Sequence, residues 1–123
     1  MATEEKLRSV TLESSGDLSA SQYFLVKVDA SGQAALGGLG EVCVGVLQDK
    51  PSAAGRAAEV GTEGVSKCVA SAAIAAGATV SCTAAGKAKT AATGEFVVGV
   101  ARSAAAADGE VFQLMLGSTH LKA

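Results

Sequence analysis

The sequence predicts an all-β fold, a small β-barrel or sandwich with an internal duplication and an extended N-terminal arm. Three observations carry that expectation. From Leu18 onward, short β-branched runs alternate with Gly or Ser punctuation. The two Ala-rich runs that tempt a helix assignment, Ala70–Ala78 and Ser103–Ala107, are short and lie between strand-like segments. Glycines also recur at a fixed offset along the chain.

Residues 1–17 differ from the rest of the chain. They hold Glu4, Glu5, Glu13 and Asp17 beside Lys6 and Arg8, with little Ala or Gly. Two readings stay open for this arm: a frayed terminus, or a segment that orders on a neighbour by adding a strand to its sheet. Val10-Thr11-Leu12 is its candidate strand. Residues 18–123 read as a single β domain.

Within that domain the expected strands are Tyr23–Val28, Ala34–Leu36, Val42–Gln48, Ala57–Val60, Val65–Ala70, Thr79–Thr83, Lys87–Thr90, Phe96–Ala101 and Val111–Leu116. Ala30-Ser31-Gly32 and Ala84-Ala85-Gly86 supply tight turns, because glycine accepts the positive φ that such turns need. Pro51 follows a strand end, where its missing N–H breaks no ladder. The Ala-rich runs are expected to be connectors with about one helical turn each. Shifting the chain by 54 residues places Gly32, Gly40, Gly45 and Gly55 on Gly86, Gly94, Gly99 and Gly109. Val26 then meets Val80, Glu41 meets Glu95, and Val44-Gly45-Val46 meets Val98-Gly99-Val100. Matched glycines imply matched backbone geometry, with chance similarity in so Ala- and Gly-rich a chain as the competing explanation. Two copies closing one pseudo-symmetric barrel is the architecture expected.

Composition narrows the function. The chain has 123 residues, enough for one modest core but not for a cofactor domain beside a substrate domain. Apolar residues make up 49%, yet aromatics only 3%, so the apolar content is mostly Ala and other small side chains. Small side chains bury little area, and stabilisation follows area at roughly 25 cal/mol per Å². A thinly stabilised monomer that draws stability from partners is the expectation. A formal net charge of −2 and the lack of any Lys/Arg cluster argue against direct nucleic-acid binding. No apolar run reaches the roughly 18 residues of a membrane span. The acidic start lacks an apolar signal region, so the chain is expected to be made in the cytoplasm.

No chemistry stands out. Cys43, Cys68 and Cys82 have no CxxC spacing and read as free, buried thiols rather than metal ligands. His120 sits near the C-terminus, and nothing around it or around any Ser resembles a nucleophile elbow. Glu41 and Glu95 occupy equivalent repeat positions after Gly, so a turn role explains both better than paired catalytic carboxylates. Gly37-Gly38-Leu39-Gly40 lacks the following helix and Lys-Ser/Thr of a phosphate loop. Lys87 in a turn suggests a swinging-arm carrier domain, but no Met or Asp precedes it. No catalytic residue, metal ligand or cofactor is expected.

A family resemblance sits on residues that succeed one another in a particular order. Leu18-Ser-Ala-Ser-Gln-Tyr23, Val26-Lys-Val-Asp-Ala-Ser-Gly32, Val44-Gly-Val-Leu-Gln-Asp-Lys-Pro51, Gly64-Val-Ser-Lys67, Ala75-Ala-Gly77 and Gly94-Glu-Phe-Val-Val-Gly-Val100 come before a closing strand at Val111–Leu116. Together they resemble the small head decoration, or cement, proteins of tailed bacteriophages, over roughly residues 17–117. The resemblance implies a non-enzymatic β-rich protein on the outer capsid surface that bridges subunits of the major capsid protein. It also implies a homotrimer, with a dimer as the alternative. Residues 1–16 lie outside it. From the residues themselves, the arm's Leu7, Arg8, Val10 and Leu12 are the candidates for the capsid interface. A surface-displayed binding or adhesion module is the competing class of function, and a small enzyme or carrier the third.

Overall fold

The computed structural model describes residues 7–122, without the side chains of Ser118 and Thr119. Among the described residues there are nine strands and no helix: β1 (Leu7–Glu13), β2 (Leu25–Val28), β3 (Ala34–Leu36), β4 (Gly45–Leu47), β5 (Ala57–Val69), β6 (Thr79–Cys82), β7 (Ala88–Thr90), β8 (Phe96–Ala101) and β9 (Val111–Leu121). They form one antiparallel sheet in the order β3-β2-β4-β5-β9-β8-β6-β7, with β1 added on β5. The sheet curls into a half-barrel. Register slips between Arg8 and Ser9 and between Val97 and Gly99 add local twist.

The duplication is written into the pairing register. Val26 pairs with Leu36 and Val80 with Thr90; Val26 pairs with Gly45 and Val80 with Gly99; Val46 pairs with Gly61 and Val100 with Met115. Each of these matches at the 54-residue offset. The turns match as well. Asp29 Oδ1 accepts from the N–H groups of Ser31 and Gln33, and Thr83 Oγ1 accepts from those of Ala85 and Lys87. Glu59 N–H donates to Asp49 Oδ1, as Gln113 N–H donates to Ser103 Oγ. Tyr23, the sole non-glycine with positive φ among the described residues (69°), stands where the second repeat has Gly77 (87°). That conformation strains a bulky side chain. Its N–H donates to Leu47 O (2.7 Å) and its carbonyl accepts from Val69 N–H (3.0 Å), which holds it there.

Each repeat has a small core of equivalent members. Leu18, Val26, Ala34, Leu47, Ala58 and Val60 cluster in the first; Ile74, Val80, Ala88, Ala101, Phe112 and Leu114 hold those places in the second. Where the first uses Leu47 with Ala58, the second uses Ala101 with Phe112, a large-for-small exchange that keeps the space filled. A further set, Leu25, Cys43, Val46, Cys68, Cys82 and Val98, packs where the repeats meet.

Three expectations are corrected. Ala57–Val60 and Val65–Ala70 are not two strands: β5 runs unbroken from Ala57 to Val69 through Gly61 and Gly64, with Gly61 at a close approach rather than in a turn. A Cβ on Gly61 would lie 2.9 Å from both a Leu7 methyl and the Gln48 amide nitrogen. The connectors at 70–78 and 103–107 contain no helical turn; Ile74 and Ala105 instead form an isolated bridge through reciprocal N–H to carbonyl bonds of 2.9 Å. Finally, the duplicated units share a half-barrel rather than closing one barrel.

Candidate functional site

Of the N-terminal segment, residues 1–6 lie outside the described residues, and Leu7–Glu13 forms β1 along β5 of its own chain. The register has a counterpart. The C-terminal half of β5 lies along β9 (Val69 on Val111) as β1 lies along the first half of β5 (Glu13 on Ala57). Thus β1 opens the first repeat as the end of β5 opens the second. Leu12 packs, half-buried, on the first repeat's core, and Leu7 is half-buried over Gly61. Arg8 and Val10 are exposed. Ser9 and Thr11 hydroxyls donate to the Glu59 carboxylate on the opposite face of β1, the Thr11 bond at 3.1 Å. Of the four sequence candidates, Leu7 and Leu12 are therefore half-buried, and Arg8 and Val10 are exposed.

A depression of about 620 Å³ is lined by Lys27, Val28, Asp29, Glu41, Val42 and Phe96. Lys27 Nζ donates to Glu41 Oε1 at 2.8 Å. That bond, and then the charge behind it, raises the lysine above its ordinary value and lowers the carboxyl below its own. A pair so engaged is a poor acid or base. The equivalent Glu95 accepts from Lys89 (2.7 Å), Ser81 Oγ (2.9 Å) and the Ala92 N–H (2.7 Å). The Lys89 hydrogen bond is the largest cause of its lowered pKa, followed by the backbone one. Both glutamates close turns, their N–H groups donating to Gly38 O and Ala92 O. This is the structural role their spacing predicts.

The three thiols are free, buried and gathered into one cluster although they stand far apart in sequence. Burial pushes the Cys68 thiol well up. Cys43 hydrogen-bonds with Cys82, and that bond together with burial raises the Cys82 thiol. Lys87 donates to Asp108 (3.0 Å) and lies 5.9 Å from the Phe24 ring centre, so it does not swing freely. Among the described residues no group of His, Cys, Asp or Glu is arranged to hold a metal, and no helix is long and apolar enough to cross a membrane. What the surface offers instead is exposed apolar side chains on strands and turns: Val10, Val28, Leu39, Val42, Val100, Val111, Met115 and Leu121. Sequence reading missed all but Val10, since a valine on a strand carries no sign of which face it takes.

The described residues thus form a duplicated all-β module with exposed apolar side chains. The family model for phage cement proteins matches residues 3–116, and the chain belongs to that family. It is a capsid-associated structural protein of a virion. Among solved structures, the N base of the head fiber gp8.5 of bacteriophage phi29 has the same fold. Its TM-score is 0.73 at 15% identity, over 96% of this chain and 100% of that one. Comparison with curated proteins yields no significant match.

Proposed function

We propose that the protein docks on the outer surface of the phage head after synthesis in the host cytoplasm, and stabilises the shell by bridging neighbouring major capsid subunits. The family match over residues 3–116 carries this reading. The shared fold with a head fiber base supports a position on the outside of a head. The reading asks no catalysis or cofactor of the chain. A protein present in many copies can hold a shell with individually weak contacts, because touching several subunits at once multiplies their effect.

Within this proposal residues 1–17 contribute to the docking surface and 18–123 supply the scaffold. Arg8 and Val10 are the contact residues; the half-buried Leu7 and Leu12 hold β1 in place. The test is co-sedimentation of purified protein with expanded capsids that lack it, followed by capsid melting. Saturable binding that raises the capsid melting temperature is expected, and its stoichiometry separates a trimer from a dimer. Absence of binding to any capsid form would overturn the proposal. Arg8→Glu with Val10→Asp should lower occupancy at least tenfold without unfolding the protein, since both side chains are exposed. Unchanged occupancy would remove β1 from the interface.

A further inference from the structure

The two repeats have equivalent backbones but unequal exposure, and the inequality has a direction. In the first repeat Leu25 and Val46 are fully buried; their counterparts Thr79 and Val100 are half-buried and 36% exposed. Leu36 is half-buried and its counterpart Thr90 exposed. On the opposite side the order reverses. Val28 is 45% exposed and its counterpart Cys82 fully buried; Gly32 is exposed and Gly86 buried.

The cause is the contact between the repeats. The β6–β7 hairpin of the second repeat sits on the first. Leu25 N–H donates to Gly86 O (2.7 Å), and Gly40 N–H donates to Cys82 O (2.9 Å). A Cβ on Gly37 would fall 2.8 Å from Cys82 Sγ, and one on Gly86 would fall 3.1 Å from a Leu36 methyl. So each repeat has a hairpin side and a receiving side. The hairpin side of repeat two covers the receiving side of repeat one. One of each is left over: the Val28 hairpin at one end of the chain, and the Thr79–Val100 face at the other.

We propose that these two leftover surfaces bind each other between copies of this chain, the Val28 hairpin of one copy seated on the Thr79–Val100 face of the next. The occupant is a second copy because the leftover surfaces are the backbone equivalents of two surfaces that already fit. Val28 and Val42 supply the apolar contact from the hairpin side, and Val100, with Met115 paired beside it, receives them. The contact is heterologous, head to tail, and closes into a ring if the rotation per copy allows. It is smaller than the contact within the chain. Gly94 N–H, the counterpart of Gly40 N–H, is already held by Lys122 O (2.9 Å) at the end of β9. Association is therefore reversible and concentration-dependent. The proposal does not rest on capsid binding and is tested without capsids.

The experiment is sedimentation equilibrium of the full chain over a range of concentrations, with Val28→Asp, Val100→Asp and, as an exposed apolar control, Leu39→Asp. Wild type and L39D should associate. V28D and V100D should each be monomeric, with urea transitions that show both folded. Mixed in equal amounts, V28D and V100D should form a two-chain complex and nothing larger, because one intact hairpin then meets one intact receiving face. A wild-type chain that stays monomeric at every soluble concentration overturns the proposal. So does an assembly that either variant leaves intact, or a mixture that stays monomeric.

Discussion

Gly45 and Gly99 offer the sharpest energetic test of the duplicated architecture. An added Cβ at Gly45 would lie 1.9 Å from the carbonyl oxygen of Gly61, and one at Gly99 would lie 2.1 Å from that of Met115. Neither glycine has positive φ, so the constraint is space rather than backbone conformation. Ordinary contact begins near 3.4 Å. In Gly45→Ala or Gly99→Ala the paired strand must therefore retreat by more than an ångström, and the obstacle is backbone, which cannot rotate aside. Forced overpacking costs about 1–3 kcal/mol, and the separation also weakens ladder hydrogen bonds at about 1 kcal/mol each. Each variant should lose about 3 kcal/mol or more. Gly109→Ala is the contrast: φ is +87° but nothing lies within 4 Å of the new Cβ. Only left-handed strain remains, about 1–2 kcal/mol. Urea unfolding at constant m-value reads all three. Losses at Gly45 and Gly99 no larger than at Gly109 would refute the claim that close strand approach dictates these glycines.

The same contacts set the outcome of other perturbations. Glu95→Ala leaves the buried Ser81 hydroxyl without its carboxylate acceptor and should cost about 1–3 kcal/mol by urea unfolding; a wild-type midpoint would contradict the assigned role. The Glu95 carboxyl titrates below its ordinary 4.5 when folded, so its stabilisation is present above that value and fades as pH falls through the folded value. Glu95→Gln should flatten the acid side of the stability profile measured between neutral and acidic pH. Phe112→Ala removes the largest fully buried side chain among the described residues and should cost about 3–5 kcal/mol by urea unfolding. All three thiols should resist a thiol-specific reagent in the native state and react together on unfolding; a native thiol that reacts at the rate of free cysteine would contradict the buried cluster.

Local chemistry made much of this fold legible. Turns at Gly32 and Gly86 arise from residues that accept positive φ, and the strand runs between them from β-branched side chains. The 54-residue recurrence appeared through glycines because a glycine has no substitute where backbones touch. The equivalent core positions were illegible, since Leu47 with Ala58 and Ala101 with Phe112 fill similar space through different residues. That β5 runs unbroken through Gly61 and Gly64 was illegible, because a glycine at a close strand approach, such as Gly61, reads in one dimension like any other glycine. Of the interface candidates, apolar character marked Leu7, Val10 and Leu12 in the sequence, but only the tertiary structure showed that Val10 is exposed while Leu7 and Leu12 are half-buried.

By itself, then, the sequence determined the strand-and-turn grammar and the repeat, because each depends on the character of residues near one another in the chain. Tertiary structure alone decided exposure. Val46 and Val100 are the same residue at equivalent places in equivalent strands, yet one is fully buried and the other 36% exposed. The second repeat lies over the first, and among the described residues no third repeat lies over the second.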